Sequence, residues 1–364
     1  MAAVELVKPP TLGVEEEFAL LDPVSGAVAL VAPEVIRACD AGPAVGAESM
    51  RYMVETRTPV CRTLDQLAAS LTLRRTQVAA QARRHGAVMV ASGVAPFGVP
   101  DPPPLTEDHR YRRLLAVYPS AMRTTGTCAC HVHVSVPSAD AGVAVLHRLR
   151  PWLPALIALT ANSPIWRGRH AGWASARYVF ASRWPTAVPA PPTRSADEYE
   201  HSVRTAIDSG AALDTRSVYY LARLSPRYPT VEVRVADTCL TVDETVAYAG
   251  LVRAVVAQDA LAAACRTAAR VGLTGWLLDP TTRRPTPAWD YIDRLVVGVL
   301  PCLARSGDAE GVLPVLEQLR SAGGAAERHS RLFTAAAAPA QYVAALEQAS
   351  TSPPGRGRPA AWAG

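Results

Sequence analysis

Leu12-Gly13-Val14-Glu15-Glu16-Glu17-Phe18-Ala19-Leu20-Leu21 sets three adjacent carboxylates inside an otherwise apolar run. A run of this kind reads as a buried strand, and a buried strand does not ordinarily carry charge. Strand side chains alternate between faces, so Glu15 and Glu17 point one way while Glu16 points the other with Val14 and Phe18. Two like charges on one half-buried face need something positive between them. A hard divalent cation such as Mg²⁺ or Mn²⁺, which prefers carboxylate oxygens, meets that need. A sheet edge whose acids face water or arginines would meet it as well. Glu16, on the opposite face, is expected to be structural and paired with an arginine.

The chain has 364 residues, of which 49% are hydrophobic, and its length suits one large domain or two small ones. No apolar run approaches the roughly 20 residues of a membrane span, and the first ten residues lack the charge and apolar pattern of a signal peptide. The seven cysteines include no CxxC pair, which fits a reduced, cytoplasmic protein with buried free thiols. Among 37 basic residues Lys8 is the only lysine. A P-loop, a kinase strand lysine and Schiff-base chemistry are therefore excluded. Phosphate or carboxylate must be held by arginine, histidine, backbone amides or metal. The net charge of +5 is spread along the chain and gives no support for nucleic-acid binding.

Asp22-Pro23-Val24-Ser25-Gly26 predicts a turn that returns the chain as a hairpin through residues 27–31. Thr63-Leu64-Asp65-Gln66 reads as a capping box opening a helix that stops at Gly86. A short strand over 88–92, a helix over 106–118 and one helix over about 140–161 follow. Residues 127–136 alternate, with Cys130, Val132, Val134 and Val136 on one face and His131, His133 and Ser135 on the other. Residues 184–193 form a proline-rich loop, and Ser195 to Glu198 is a second capping box whose helix ends at Gly210. Residues 230–236 alternate again, with Val231, Val233 and Val235 inward. Beyond Asp243 the pattern is almost entirely helical. The expectation is α+β with a mostly antiparallel sheet, divided into an N-terminal tail 1–10, one domain 11–349 and a disordered tail 350–364.

Three strands share a peculiarity: Glu15/Glu17, His131/His133 and Glu232/Arg234 each put two functional groups on one strand face. Singly, HxH can be a polar strand face and ExR a cross-strand ion pair. Jointly, faces lining one cavity would supply hard oxygen donors, imidazoles and a guanidinium. Glu48 and Glu55, seven residues apart, share no straight strand face, so their joint use requires a bend or bulge.

Residues Thr11 to Phe18, the segment Glu48 to Glu55, His131-Val132-His133-Val134, Asn162 to Gly168, Arg183-Trp184-Pro185-Thr186 and Arg223 to Arg234 together resemble the ATP-dependent carboxylate-amine ligases. That family, also called glutamate-cysteine ligase type 2, belongs to the glutamine synthetase superfamily, and the resemblance spans about residues 11–335. It implies a glutamine synthetase-like curved antiparallel sheet, a half-funnel with packed helices. ATP would enter from one end and a small-molecule acid and amine from the other. It further implies that Glu15, Glu17, Glu48, Glu55, His131 and Glu232 bind Mg²⁺ or Mn²⁺, and that His133, Arg223 and Arg227 contact the nucleotide. Arg227, Glu232 and Arg234 would act in catalysis, Arg177 and Arg183 would clamp a substrate carboxylate, and the protein would be a homodimer. The chemistry suits these residues, since in-line attack on the γ-phosphate asks for positioning and charge neutralisation.

Two departures stand out. Ala95 replaces a histidine of Gly-Thr-His-Pro, and Leu221 replaces an aspartate two residues before Arg223. Neither is a metal acid, but both bear on the substrate pocket, which points to a specialised ligase making a γ-glutamyl or similar amide in secondary metabolism. Two alternatives stand beside this reading. One is a metal-dependent amide hydrolase using His131 and His133. The other is a non-catalytic relative that binds a metabolite or nucleotide.

Overall fold

A computed structural model describes residues 10–123, 126–255, 268–279 and 284–352. The run Leu12–Leu21 is strand β1. It sits at the middle of a seven-stranded sheet with β2 (Val45–Ala47), β3 (Met53–Arg57), β4 (Val88–Val90), β5 (Ala129–Ser135), β8 (Ala222–Leu224) and β9 (Thr230–Asp237). Two small hairpins complete the strands, β6 (Ile165–Trp166) with β7 (Arg169–His170) and β10 (Trp276–Asp279) with β11 (Arg284–Pro287). The large sheet runs β2-β3-β1-β5-β9-β8, with β4 paired to the far end of β1, and every pairing is antiparallel. The α+β expectation is borne out.

The alternation inferred for β1, β5 and β9 decides what each face meets. Leu12, Val14, Cys130, Val132, Val134, Val231, Val233 and Val235 point into one apolar core, which they share with the helices Leu64–Arg84, Leu153–Thr160, Val242–Ala254 and Ala288–Ser306. Beyond Glu17 the strand is buried on both faces: Phe18 and Leu20 enter one further core and Ala19 and Leu21 another. Opposite Cys130 and Val132 of β5 the register slips, with an extra residue on β9 that puts both Val235 and Ala236 in the core.

Several boundaries differ from the sequence reading. The helix foreseen over 140–161 is broken into Ala139–Leu149, a 3₁₀ turn Arg150–Trp152 and Leu153–Thr160. Pro151 and Pro154 lack the N–H that would continue it. The hairpin return after Gly26 shrinks to one bridge, Leu21 with Val28, because Ala32–Cys39 is already helical. The 106–118 helix starts at His109, capped by the Asp108 carboxylate. In the C-terminal part, β10 and β11 interrupt the helices. Ser350, placed in the tail by the sequence, is buried in the last turn of the helix Pro339–Thr351. Residues 1–9 and 353–364, the remainder of the two tails, lie outside the described residues.

Glu16 crosses to the core face and meets Arg75 of the helix Leu64–Arg84. Arg75 Nε and Nη2 donate to the two Glu16 oxygens at 3.0 and 2.5 Å, and Thr245 Oγ1 donates to Oε1 at 2.7 Å. The remaining Arg75 protons go to the carbonyls of Cys239, Leu240 and Ser350 at 2.9 to 3.1 Å. The guanidinium also lies 5.2 Å from the Phe18 ring centre. With both side chains essentially inaccessible to solvent, loss of one partner strands a charge. Arg75→Met is expected to lower the unfolding free energy by about 3–5 kcal/mol. Urea denaturation checks this, and a loss below about 1 kcal/mol would show that the pair is not a keystone.

Candidate active site

The opposite face of the sheet is concave and charged. Glu15 of β1 stands opposite His131 of β5 and Arg57 of β3, Glu17 opposite Glu55, and His133 opposite Glu232 of β9. These side chains line one cavity together with Glu48, Arg177, Arg223, Arg227 and Arg234. Eleven of the twelve residues singled out from the sequence are thus brought together. The exception is Arg183, which is exposed, lies over the Phe180 ring at 5.6 Å and does not line the cavity.

The acids sort into two cages. Glu15, His133 and Glu232 bring ligand atoms within 4.8 Å of one another, and so do Glu17, Glu48 and Glu55. His133 Nδ1 is 2.9 Å from Thr230 Oγ1, which leaves Nε2 open and 3.8 Å from Glu15 Oε2. His131 Nδ1 lies 3.6 Å from Glu15 and 3.8 Å from Glu232. The Nε2 atoms of both histidines are buried without a hydrogen-bond partner. Glu48 and Glu55 come together across the β2–β3 hairpin, where Gly46 faces Glu55, rather than by a bend within one element.

Electrostatics separate the two cages. Burial alone would raise Glu15 and Glu232, but His131 and His133 hold Glu15 well below the usual carboxylate range, and Arg234 and Arg223 do the same for Glu232. Glu17 is the reverse: burial, then the charge of Glu48, pushes it up to about 8 despite a 2.7 Å hydrogen bond from the Ala129 amide. Burial also raises Glu48. Burial and the Arg234 charge bring His131 down to about 4. A cage of three carboxylates short of positive charge, beside one with an open imidazole nitrogen, is a donor set suited to Mg²⁺ or Mn²⁺.

Arg223, Arg234 and Arg177 are already engaged with the protein. Arg223 donates to both oxygens of Glu232 at 2.8 and 3.3 Å and to the Val218 carbonyl at 2.7 Å. Arg234 pairs with Glu232 and approaches His131 Nδ1 at 3.4 Å. Arg177 donates to the carbonyls of Val235 and Arg234 at 3.2 and 3.0 Å, bracing the bulged part of β9. Arg227 is exposed on the β8–β9 turn at the cavity mouth.

Sequence reasoning missed Arg57, which pairs with Glu55 and reaches Glu15 at 3.6 Å. Its signal was present, because Glu55-Thr56-Arg57 repeats the ExR spacing of Glu232-Val233-Arg234. Arg110, Tyr111, Arg216 and Tyr219 also line the cavity. They come from segments without strand periodicity, and no spacing marks them.

A curved antiparallel sheet backed by helices, with acids and arginines on its concave face, defines a glutamine synthetase-like ligase fold. Solved structures agree: a bifunctional glutathione synthetase from Pasteurella multocida superposes with TM-score 0.70 at 15% identity over 95% of this chain. The chain spans about half, 53%, of that protein's length. A glutamate-cysteine ligase from Francisella tularensis, in complex with AMP, gives TM-score 0.62 at 14% identity, covering 94% of this chain and 92% of that one. Residues 11–345 match glutamate-cysteine ligase family 2, and the chain belongs to that family of carbon–nitrogen ligases. A protein named "Putative glutamate--cysteine ligase 2-1" from Saccharopolyspora erythraea is 43% identical over 89% of this chain and 90% of its own length. A relative from Salinispora arenicola is 39% identical over 94% and 95%. No helix among the described residues is long and apolar enough to cross a membrane.

Because Glu17 holds a proton up to about pH 8 and a metal needs the carboxylate, Mn²⁺ affinity should climb between pH 6 and 8, by up to about tenfold per unit. His131, brought down to about 4, does not titrate in that window. Calorimetric titration checks the slope. Glu17→Gln should flatten it, and an affinity independent of pH in the unaltered protein would contradict a Glu17 ligand.

Proposed function

We propose that this cavity uses ATP to activate a carboxylate and joins it to an amine, giving an amide of γ-glutamyl type with release of ADP and phosphate. The observation that carries the proposal is the pair of acid cages set side by side within one arginine-lined cavity. A γ-phosphoryl group, its magnesium ions and a substrate carboxylate concentrate negative charge, and this face offers both the acids to hold the metals and the guanidinium groups to hold the phosphate. The adenine nucleotide seen with the Francisella relative supports the choice of ATP. The relatives named for glutamate–cysteine ligation support the acid and the amide.

Glu15, His133 and Glu232 would hold one Mg²⁺ or Mn²⁺, and Glu17, Glu48 and Glu55 another, with His131 beside the first. Bound there, the cations neutralise phosphate charge. The substrate carboxylate oxygen attacks the γ-phosphorus in line, the bond to the ADP oxygen breaks, and an acyl phosphate results. Arg234 and Arg227 steady the transferred phosphoryl oxygens, and Arg223 keeps Glu232 in place through its two hydrogen bonds. The amine nitrogen then attacks the acyl carbon, loses a proton, and phosphate leaves. Arg177 sets the backbone that carries Arg234 through its bonds to the β9 carbonyls, and its buried Nε, which has no hydrogen-bond partner, leaves it a donor for a substrate carboxylate. Leu221 on the cavity wall, where the resemblance leads one to expect aspartate, supports a specialised product over a housekeeping one.

The amide-hydrolase alternative loses ground because only His133 of the HxH pair enters a ligand cage, and oxygen donors outnumber it. An ADP-release assay with Mg²⁺ and ATP across acids and amines, with new amides identified by mass, tests the ligase reading. Arg234→Met is expected to lower kcat by on the order of 10²–10³. Amide cleavage without ATP, or ADP release that no amine stimulates, would overturn it.

A further inference from the structure

Most arginines lining the cavity have an occupant within the protein. Glu55 holds Arg57, Asp214 holds Arg110, β9 carbonyls hold Arg177, and Glu232 holds both Arg223 and Arg234. Arg216 and Arg227 have no acid partner among the described residues. Arg227 neighbours Tyr228, whose ring meets His133 edge-on at 6.0 Å, so it belongs beside the Glu15/His133/Glu232 cage. Arg216 also lines the cavity, from the turn before β8.

Arg216 sits in the 3₁₀ turn Thr215–Ser217, and that turn is fixed from three sides. Asp214 caps it, accepting from Ser217 N and Oγ at 2.8 and 2.7 Å. Arg110 clamps Asp214 with two hydrogen bonds of 3.1 Å and reaches Ser217 Oγ at 2.8 Å. Arg223 donates to the Arg216 carbonyl at 3.3 Å. The backbone is thus immobilised while the guanidinium is left exposed. Tyr111, which lines the same cavity, feels the charges of both Arg216 and Glu48.

The cavity lining also includes the apolar side chains of Leu114, Met122, Trp184 and Leu221. Tyr219 joins the wall to the charged face, its ring 4.8 Å from that of Trp184 and 5.9 Å from the Arg234 guanidinium. An uncommitted cation beside an apolar wall, with phosphoryl-transfer groups beyond, matches a molecule carrying a carboxylate, an apolar body and a nucleophilic nitrogen.

We propose that this region is the amine subsite and that the amine is an α-amino acid with an apolar side chain larger than that of cysteine. Arg216 pairs with its carboxylate, Trp184, Met122 and Leu221 receive its side chain, and its amino group faces the acid cages. The proposal rests on the ligase reading of the same cavity and names the class of its second substrate.

Binding tests it without turnover. The full chain, with Mg²⁺ and a non-hydrolysable ATP analogue, is titrated calorimetrically with L-leucine, L-phenylalanine, L-cysteine, L-serine and the carboxamides of the first two. Leucine and phenylalanine should bind about tenfold or more tighter than cysteine and serine. Replacing the ligand carboxylate by carboxamide should weaken binding roughly 10- to 100-fold, and so should Arg216→Gln, with little further loss when the two are combined. Cysteine or serine binding as tightly as leucine would overturn the proposal. So would an unchanged leucine affinity in Arg216→Gln, or no binding of any of these amino acids. The ligase reading is judged apart from this: ADP formation only with amines that lack a carboxylate keeps it and overturns the subsite, whereas amino-acid binding without ADP formation keeps the subsite and counts against the ligase.

Discussion

Everything on the charged face depends on how one charge is neutralised behind it. Glu16 is buried at the centre of the sheet, and its two oxygens are taken by Arg75 and Thr245. Stranding that buried carboxylate would consume a large share of a domain's marginal stability, so Arg75 favours the register of β1 that keeps Glu16 beside it. A slip of one residue would drive Glu15 and Glu17 into the apolar core and take two carboxylates out of the cavity. The pair therefore specifies which face of the strand carries chemistry.

That division propagates across the sheet through antiparallel pairing. His131 and Arg57 reach Glu15 because they sit opposite it, and Glu232 reaches His133 for the same reason. Its centre is a patch of neighbouring strand positions, Glu15, Glu17, Glu55, His131, His133, Glu232 and Arg234, whose geometry is set by backbone hydrogen bonds, while Glu48, Arg177 and Arg227 join it from outside the strands. The bulge in β9 re-aims the strand beyond Arg234 and turns Asp237 into a buried acceptor for Ser163, Ser175 and the Asn162 amide at 2.6 to 2.9 Å. The same feature leaves the Arg234 and Val235 carbonyls to Arg177.

Legibility in the sequence followed periodicity. Period-two alternation in β1, β5 and β9 exposed the cavity acids Glu15, Glu17 and Glu232, the histidines and the partition between Glu16 and its neighbours, because the register of a strand is written in its own residues. Glu48 and Glu55 resisted for a physical reason: their proximity is a property of a hairpin, which seven residues of spacing do not reveal. Arg75 was foreseen only as some arginine, since nothing in a helix says which distant charge it will meet. Arg183 shows the converse case. The resemblance implied a clamp there, whereas the guanidinium is exposed, lies over the Phe180 ring and does not line the cavity. Arg216 was invisible because turns carry no repeat from which a direction could be read.

The last helix bears on the order in which the molecule is made. Ser350 accepts from Arg75 through its carbonyl at 3.0 Å and from the Ala91 amide through its hydroxyl at 2.7 Å. Both partners are translated more than 250 residues earlier. While the chain is still emerging from the ribosome, the charge centre beneath β1 has its carboxylate and its arginine but lacks this closing acceptor. The amide that follows β4 is equally unserved. A nascent chain can therefore build the sheet and its helices in sequence, but the shell around Glu16 and Arg75 is complete only once residue 350 has been made. The strand that carries Glu15 and Glu17 is insulated from behind only then.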